Sequence, residues 1–206
     1  MKTLLKSAVA AAALVLPSLA LATTYELDPQ HTAADFTVRH MMVSNVRGEF
    51  GKVTGTLNLD DKDITKSTVE VSIDATSINT REPKRDAHLK SADFFDVAKY
   101  PTLTFKSTKV EKAGDNKLKV TGDLTMHGVT KPVVLDVDGP SKEMKDPGGN
   151  MRIGAGATTK VNRKDYGLMW NMALESGGVL VGDEVTINLS MEAVKKAPAA
   201  APAPKK

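Results

Sequence analysis

Along most of this chain apolar and polar residues alternate with period two. Ala34, Phe36, Val38 and His40 share one side of a run whose other side is Asp35, Thr37 and Arg39. The same alternation returns at Val53, Gly55, Leu57 and Leu59, at Val69, Val71, Ile73 and Ala75, and at Leu103 and Phe105. It continues at Leu118, Val120, Gly122, Leu124 and Met126, at Val133, Leu135 and Val137, and at Met151, Ile153, Ala155 and Ala157. It closes at Val185, Ile187, Leu189 and Met191. Period two sends successive side chains to opposite faces of a strand, so each run has one dry and one wet face. Turn residues punctuate the runs at Ser44-Asn45, at Asp60 to Asp63, at Ala113 to Asn116, at His127-Gly128 and over the long polar loop Gly139 to Asn150. The pattern predicts about eight or nine strands with almost no helix, hence an all-β antiparallel barrel or sandwich. Glycines 55, 122, 154 and 156 fall inside strand patterns, where they suit bends or the close approach of another group.

One stretch breaks the alternation. Between Thr80 and Phe105 the chain gathers Arg85, Asp86, His88, Phe94 and Phe95. Pro83 falls where a first helical turn tolerates a missing N–H, and Thr80 is the candidate cap. Helical spacing then puts Arg85, His88 and Leu89 on one face. Arg, Asp and His are catalytic residue types, but Asp86 and His88 stand two apart on such a helix and point different ways, which is poor geometry for an orienting pair. The alternative is a helix and loop that cap a barrel, anchored by the two phenylalanines. A second short helical turn fits Asn162 to Tyr166.

The first 22 residues read differently again. Lys2 and Lys6 precede an apolar run from Ala8 to Leu16, broken by Pro17, and Ala20-Leu21-Ala22 offers small residues to a signal peptidase. This predicts a secretory signal peptide cleaved after Ala22; the run is too short to span a bilayer. The chain has no cysteine, so neither a disulfide framework nor a lipidated cysteine is available. Residues 23–194 suffice for one domain with a real core. Residues 195–206 form an Ala/Pro/Lys tail of low complexity, expected to be disordered. Without the leader and the tail the basic residues no longer outnumber the acidic ones, and the domain is mildly acidic. That disfavours a nucleic-acid partner, which needs a concentrated basic face.

Familiar catalytic signatures are absent. There is no Gly-x-Ser-x-Gly elbow, no phosphate-cradling glycine loop with lysine, and no dinucleotide fingerprint. The histidines at 31, 40, 88 and 127 have no i, i+4 pairing, so a metal site would need distant loops to converge. The reading is therefore non-enzymatic, with no cofactor and no metal.

Several segments together are similar to the YceI-like family of exported polyisoprenoid-binding proteins. They are Asp28-Pro29-Gln30-His31-Thr32 with Phe36 to His40; Val46-Arg47-Gly48-Glu49-Phe50; Arg85 to Asp96; Tyr100-Pro101 with Phe105; Gly122 to Lys131; and Asn162 to Leu168. Thr32 stands where serine is commoner, and Met41-Met42 replaces a more usual Leu-Gly type of pair. The resemblance implies a lipocalin-like, extended eight-stranded antiparallel β-barrel with a short helix and loop as a cap. It also implies a long isoprenoid, such as a polyprenyl phosphate or isoprenoid quinone, held inside for carriage or storage in the periplasm.

On that reading the apolar lining falls to Phe36, Val38, Leu57, Val71, Ile73, Phe105, Val120, Leu124, Leu135, Ile153, Ala155, Ile187 and Leu189. Small Ala155 and Ala157 would make room. Arg39, His40, Arg85, His88 and Arg163 are the candidates for a polar head group, since arginine and histidine satisfy phosphate or quinone oxygens. Met41, Met42, Met126, Met169 and Met172 suit an adaptable surface. Transient membrane contact fits a lipid carrier, and the sequence does not distinguish monomer from dimer. The competing reading is a periplasmic stress or interaction protein whose cavity is incidental.

Overall fold

The computed structural model describes residues 22–197. The expected signal peptide, apart from Ala22, and the tail beyond residue 197 lie outside the described residues. The strands are β1 (Ala22–Leu27), β2 (Ala33–His40), β3 (Ser44–Phe50), β4 (Val53–Asp60), β5 (Thr68–Asp74), β6 (Ile78–Asn79), β7 (Thr102–Gly114), β8 (Lys117–Met126), β9 (Val129–Asp138), β10 (Met144–Lys145), β11 (Met151–Asn162) and β12 (Val181–Lys195). Among the described residues the one α-helix, α1 (Pro83–Lys90), lies between β6 and β7. No helix among the described residues is long and apolar enough to cross a membrane.

These segments make eight staves. β1 and β2 both pair with β12, β4 and β3 pair with β1 and β2 respectively, and β5 and β6 continue the same order. Each of these three pairs is therefore one long strand with an interruption. β7, β8, β9, β11 and β12 complete the ring, every neighbour antiparallel, and the β11–β12 ladder closes it. Among the described residues closure leaves only the two-residue β6 and β10 with a single partner, too short an edge to template aggregation. The alternation read from the sequence becomes an apolar interior, with Val53, Leu57, Phe105, Val120, Leu124 and Leu135 buried.

The interruptions have local causes. At the β1–β2 break the chain leaves the ladder, and Thr32 replaces the lost bonds. Its hydroxyl donates to the Glu192 carbonyl and accepts from the Glu192 N–H, both at 3.2 Å. A serine would serve as well, which accounts for the hydroxyl at this position. The glycine expectation divides. A Cβ on Gly55 would meet the Glu70 carbonyl at 2.4 Å and one on Gly122 the Phe105 ring at 2.4 Å, whereas Gly154 and Gly156 have ordinary space.

The excursion at 80–101 is a cap, but its helix starts differently from the sequence expectation. Glu82, not Thr80, is the N-cap, because Pro83 takes the first helical position and leaves the cap to the residue before it. Thr80 is instead a buried knot. It donates to the Asp86 carboxylate through its N–H (2.8 Å) and its hydroxyl, and accepts from Arg85 Nε (2.8 Å) at the hydroxyl and from Nη2 (2.9 Å) at the carbonyl. Asn162 caps a 3-10 turn over Arg163–Tyr166, which ends at Gly167 with φ 79°. At the other end of the chain Lys195 pairs with Tyr25, and the Lys196 N–H donates to the Thr24 carbonyl at 2.8 Å. The first two tail lysines therefore belong to the last ladder.

Candidate functional site: an apolar channel through the barrel

The inward faces of the staves enclose one long cavity of about 200 Å³. On β8 its lining runs from Leu118 to Met126, about 26 Å of strand at ~3.3 Å per residue. So small a volume spread over that length is a slender channel, not a chamber. Phe36, Val38, Leu57, Val71, Ile73, Phe105, Val120, Leu124, Leu135, Ala155, Ile187 and Leu189 all border it, as the alternation placed them. Ile153 does not. It pairs with Ala193, itself paired with Leu27, and all three are buried without bordering the channel. Ala157 is likewise buried but does not border the channel.

At one end the cap closes over the channel. Leu89, Phe94 and Phe95 border it. Phe95 stands edge-on to Phe50 at 5.5 Å between centroids, and Phe50 packs against Phe36 at 5.8 Å. Phe94 packs on Trp170 at 5.3 Å, and the His88 ring meets Phe94 and Trp170 at 5.1 and 4.9 Å. At the far end the 3-10 turn with Ile64, the β7–β8 hairpin and Pro140 meet the channel. The segment from Ser141 to Asn150 runs across that end and is latched twice. Glu143 accepts from the Tyr25 hydroxyl and from Lys195 Nζ at 2.8 Å, and Asp146 accepts from Arg152 Nε at 2.7 Å.

The five polar candidates do not converge. Arg39 is exposed and donates to the Met42 carbonyl at 2.8 Å; His40 ends β2 beside the same turn. Arg85 is committed to Thr80, and His88 Nε2 lies 2.9 Å from the Asp93 carboxylate. Only Arg163 borders the channel, at 4% exposure. Its Nε donates to the Gly182 carbonyl (2.9 Å), Nη1 to the carbonyls of Leu168 and Trp170, and Nη2 to that of Val181 (3.4 Å). Burial lowers its pKa, and Asp183, 3.5 Å from Nη2, opposes that shift. Its donors are thus spent on fixing the segment from 168 to 182, which is a structural role.

A charged cluster does form where the sequence reading had none. Arg152 Nη1 lies 2.6 Å from both Asp28 Oδ2 and Glu192 Oε1. Hydrogen bonding to Arg152 holds the Asp28 carboxyl well below the usual carboxylate range and that of Asp146 at about 2. Asp28, His31 and Glu192 present ligand atoms within 4.8 Å of one another, but the guanidinium already occupies the space between the carboxylates. The partners of Arg152 lie 124, 40 and 6 residues away, beyond any local pattern. Trp170 was also missed, although it is the only tryptophan and sits in a nearly uncharged stretch.

A family model described as a YceI-like domain matches residues 25–193. A UPF0312 protein of Vibrio cholerae is 39% identical over 170 residues, 82% of this chain and 89% of its own. The crystal structure of a Campylobacter jejuni YCEI protein superposes with a TM-score of 0.65 at 32% identity, covering 77% of this chain and 90% of that one. A polyisoprenoid binding domain from Saccharophagus degradans, implicated in plant cell wall breakdown, superposes with a TM-score of 0.61 at 17% identity, covering 84% and 98%.

Proposed function

The chain belongs to the YceI-like family, and from that premise we propose that it is an exported, non-enzymatic binding protein that carries or stores a polyisoprenoid in its channel. The observation that carries this reading is the channel itself: long, slender, and lined almost wholly by aliphatic and aromatic side chains. The channel has two charged residues along its wall: Asp35, which is exposed, and Arg163, which is buried with its donors engaged by backbone carbonyls. What it offers is dry surface. Each CH₂ moved from water into it is worth about 0.8 kcal/mol, so a few isoprene units outweigh the cost of immobilising them. The slenderness favours an unfused, extended chain over a rigid ring system. The related Saccharophagus domain is described as binding a polyisoprenoid, which agrees with this class of cargo.

Export to the periplasm rests on the leader-like first 22 residues. The head group of the cargo, phosphate or quinone, would lie at a mouth of the channel. Native mass spectrometry of the protein purified without detergent, followed by solvent extraction, tests the proposal. A co-purifying isoprenoid, or stoichiometric uptake of one at micromolar concentration, is the expected result. An empty protein that takes up neither a polyprenyl phosphate nor a quinone would overturn it.

A further inference from the structure

Resting on that lipid-binding reading, we propose that the barrel end bearing Met41, Met42, Val43, Met169 and Met172 is a docking surface for a lipid bilayer. These side chains are 45, 54, 75, 61 and 56% exposed. They sit on two loops that are joined. The Met41 N–H donates to the Leu180 carbonyl at 2.8 Å, and the Leu180 N–H to that of Met172 at 2.9 Å. A Cβ on Gly178 would stand 3.2 Å from Met42 Cγ.

The two loops adjoin, along the chain, residues that border the channel. Val38 and Val181 border the channel and lead directly into the two loops; so does Leu168, next to Met169. Trp170 lies between Met169 and the cap, its ring against His88 and Phe94. Tryptophan suits a membrane interface, with an apolar body and a polar edge.

Charge and shape indicate the occupant. Residues 41–46 carry no charge, and residues 167–182 carry only Glu175. The exposed cation beside them is Arg39, whose Nη2 is engaged by the Met42 carbonyl at 2.8 Å. A standard protein interface takes about 20–30 residues a side, whereas this surface is two protruding tips with five exposed apolar side chains. A bilayer needs no shaped complement and accepts such tips by shallow insertion. The turn itself gives a further reason. Met41 and Met42 have φ of 49° and 62°, the pattern of a type I′ turn, which Asn-Gly fits far better. Turn geometry alone does not account for two exposed methionines there.

The test is flotation of the full chain with phosphatidylcholine vesicles, at roughly 0.1 M and 1 M salt. Two variants accompany it: Met41→Asn with Met42→Gly, which suits the turn, and Met169→Ser with Met172→Ser. The proposal expects wild-type binding that changes little with salt and falls about tenfold or more in each variant. Melting temperature and uptake of isoprenoid dispersed without vesicles should be retained. Variants that float as the wild type does, or a wild type that never floats, would overturn it. So would a wild-type dimer in sedimentation that the Asn-Gly variant abolishes, since the tip would then be a protein contact. Vesicle binding lost in the variants, by a protein that never takes up isoprenoid, would support the docking surface and refute the cargo instead.

Discussion

The Phe105 ring occupies the inward space that a side chain at Gly122 would fill: a Cβ there would stand 2.4 Å from Phe105 Cζ. It would also stand 2.5 Å from the Lys106 carbonyl, which is backbone and cannot swing aside. Gly122→Ala should therefore cost about 1–3 kcal/mol, the range for overpacking a filled interior. Phe105 borders the channel, so the displaced ring should also narrow it and lower isoprenoid uptake. Urea unfolding checks the first effect and a binding titration the second. Adding Phe105→Leu should relieve the ring clash but not the carbonyl clash, so the double variant should lose less than the sum of the two single changes.

Arg152 makes the barrel sensitive to acid. The Asp28 and Asp146 carboxyls are held below the ordinary carboxylate value of 3.8, first by hydrogen bonds from Arg152. Below pH 4 the unfolded chain binds more protons at these positions than the folded one. Stability contributed by the cluster is therefore fully present above about pH 4 and is lost as pH falls toward about 2, where Asp146 titrates in the folded state. Arg152→Met should melt below the wild type at pH 7, because three carboxylates then face one another without the cation. As pH falls that repulsion is removed, so the gap between the two melting temperatures should narrow. A gap that is constant from pH 7 to pH 2 would show that the cluster does not act as described.

In the cap, the apolar anchors should outweigh the charges. Phe95 borders the channel and packs edge-on against Phe50. Phe95→Ala removes that packing and should cost about 2–4 kcal/mol, with loss of isoprenoid retention. Arg85 is exposed and bonds only Thr80, so Arg85→Ala should cost about 1 kcal/mol and leave uptake intact. Thermal melts and a dissociation assay on the two variants decide the order. Arg85→Ala that folds normally yet abolishes uptake would give this arginine a head-group role.

The channel was legible in the sequence because period two is a local signal and β-barrel walls obey it. Phe36, Val71, Leu124 and Ile187 could each be placed inward from their neighbours alone. Ile153 shows the limit: alternation gives the face of a strand but not whether a residue on that face borders the channel. The three bent staves were harder, since Thr32 mends the β1–β2 break from 160 residues away. The polar end was least legible. Nothing local in the sequence tells Arg163 from Arg152, and only the fold shows one holding carbonyls and the other holding carboxylates.

Two alanines on β11 separate the channel from the packed core. Ala155 borders the channel, whereas Ala157, one repeat further along the same face, is buried and does not. Ala155→Leu should send its added carbons into the channel, where there is space for them. Stability should hold within about 1 kcal/mol, while isoprenoid uptake should fall at least about tenfold, because the bulk competes with the cargo for the same dry surface. Ala157→Leu has no such space and should cost about 1–3 kcal/mol, with uptake per folded molecule unchanged. Uptake and melting measured on both variants give opposite signatures if the channel is the binding site. An Ala155→Leu protein that fills with isoprenoid as readily as the wild type would place the cargo elsewhere.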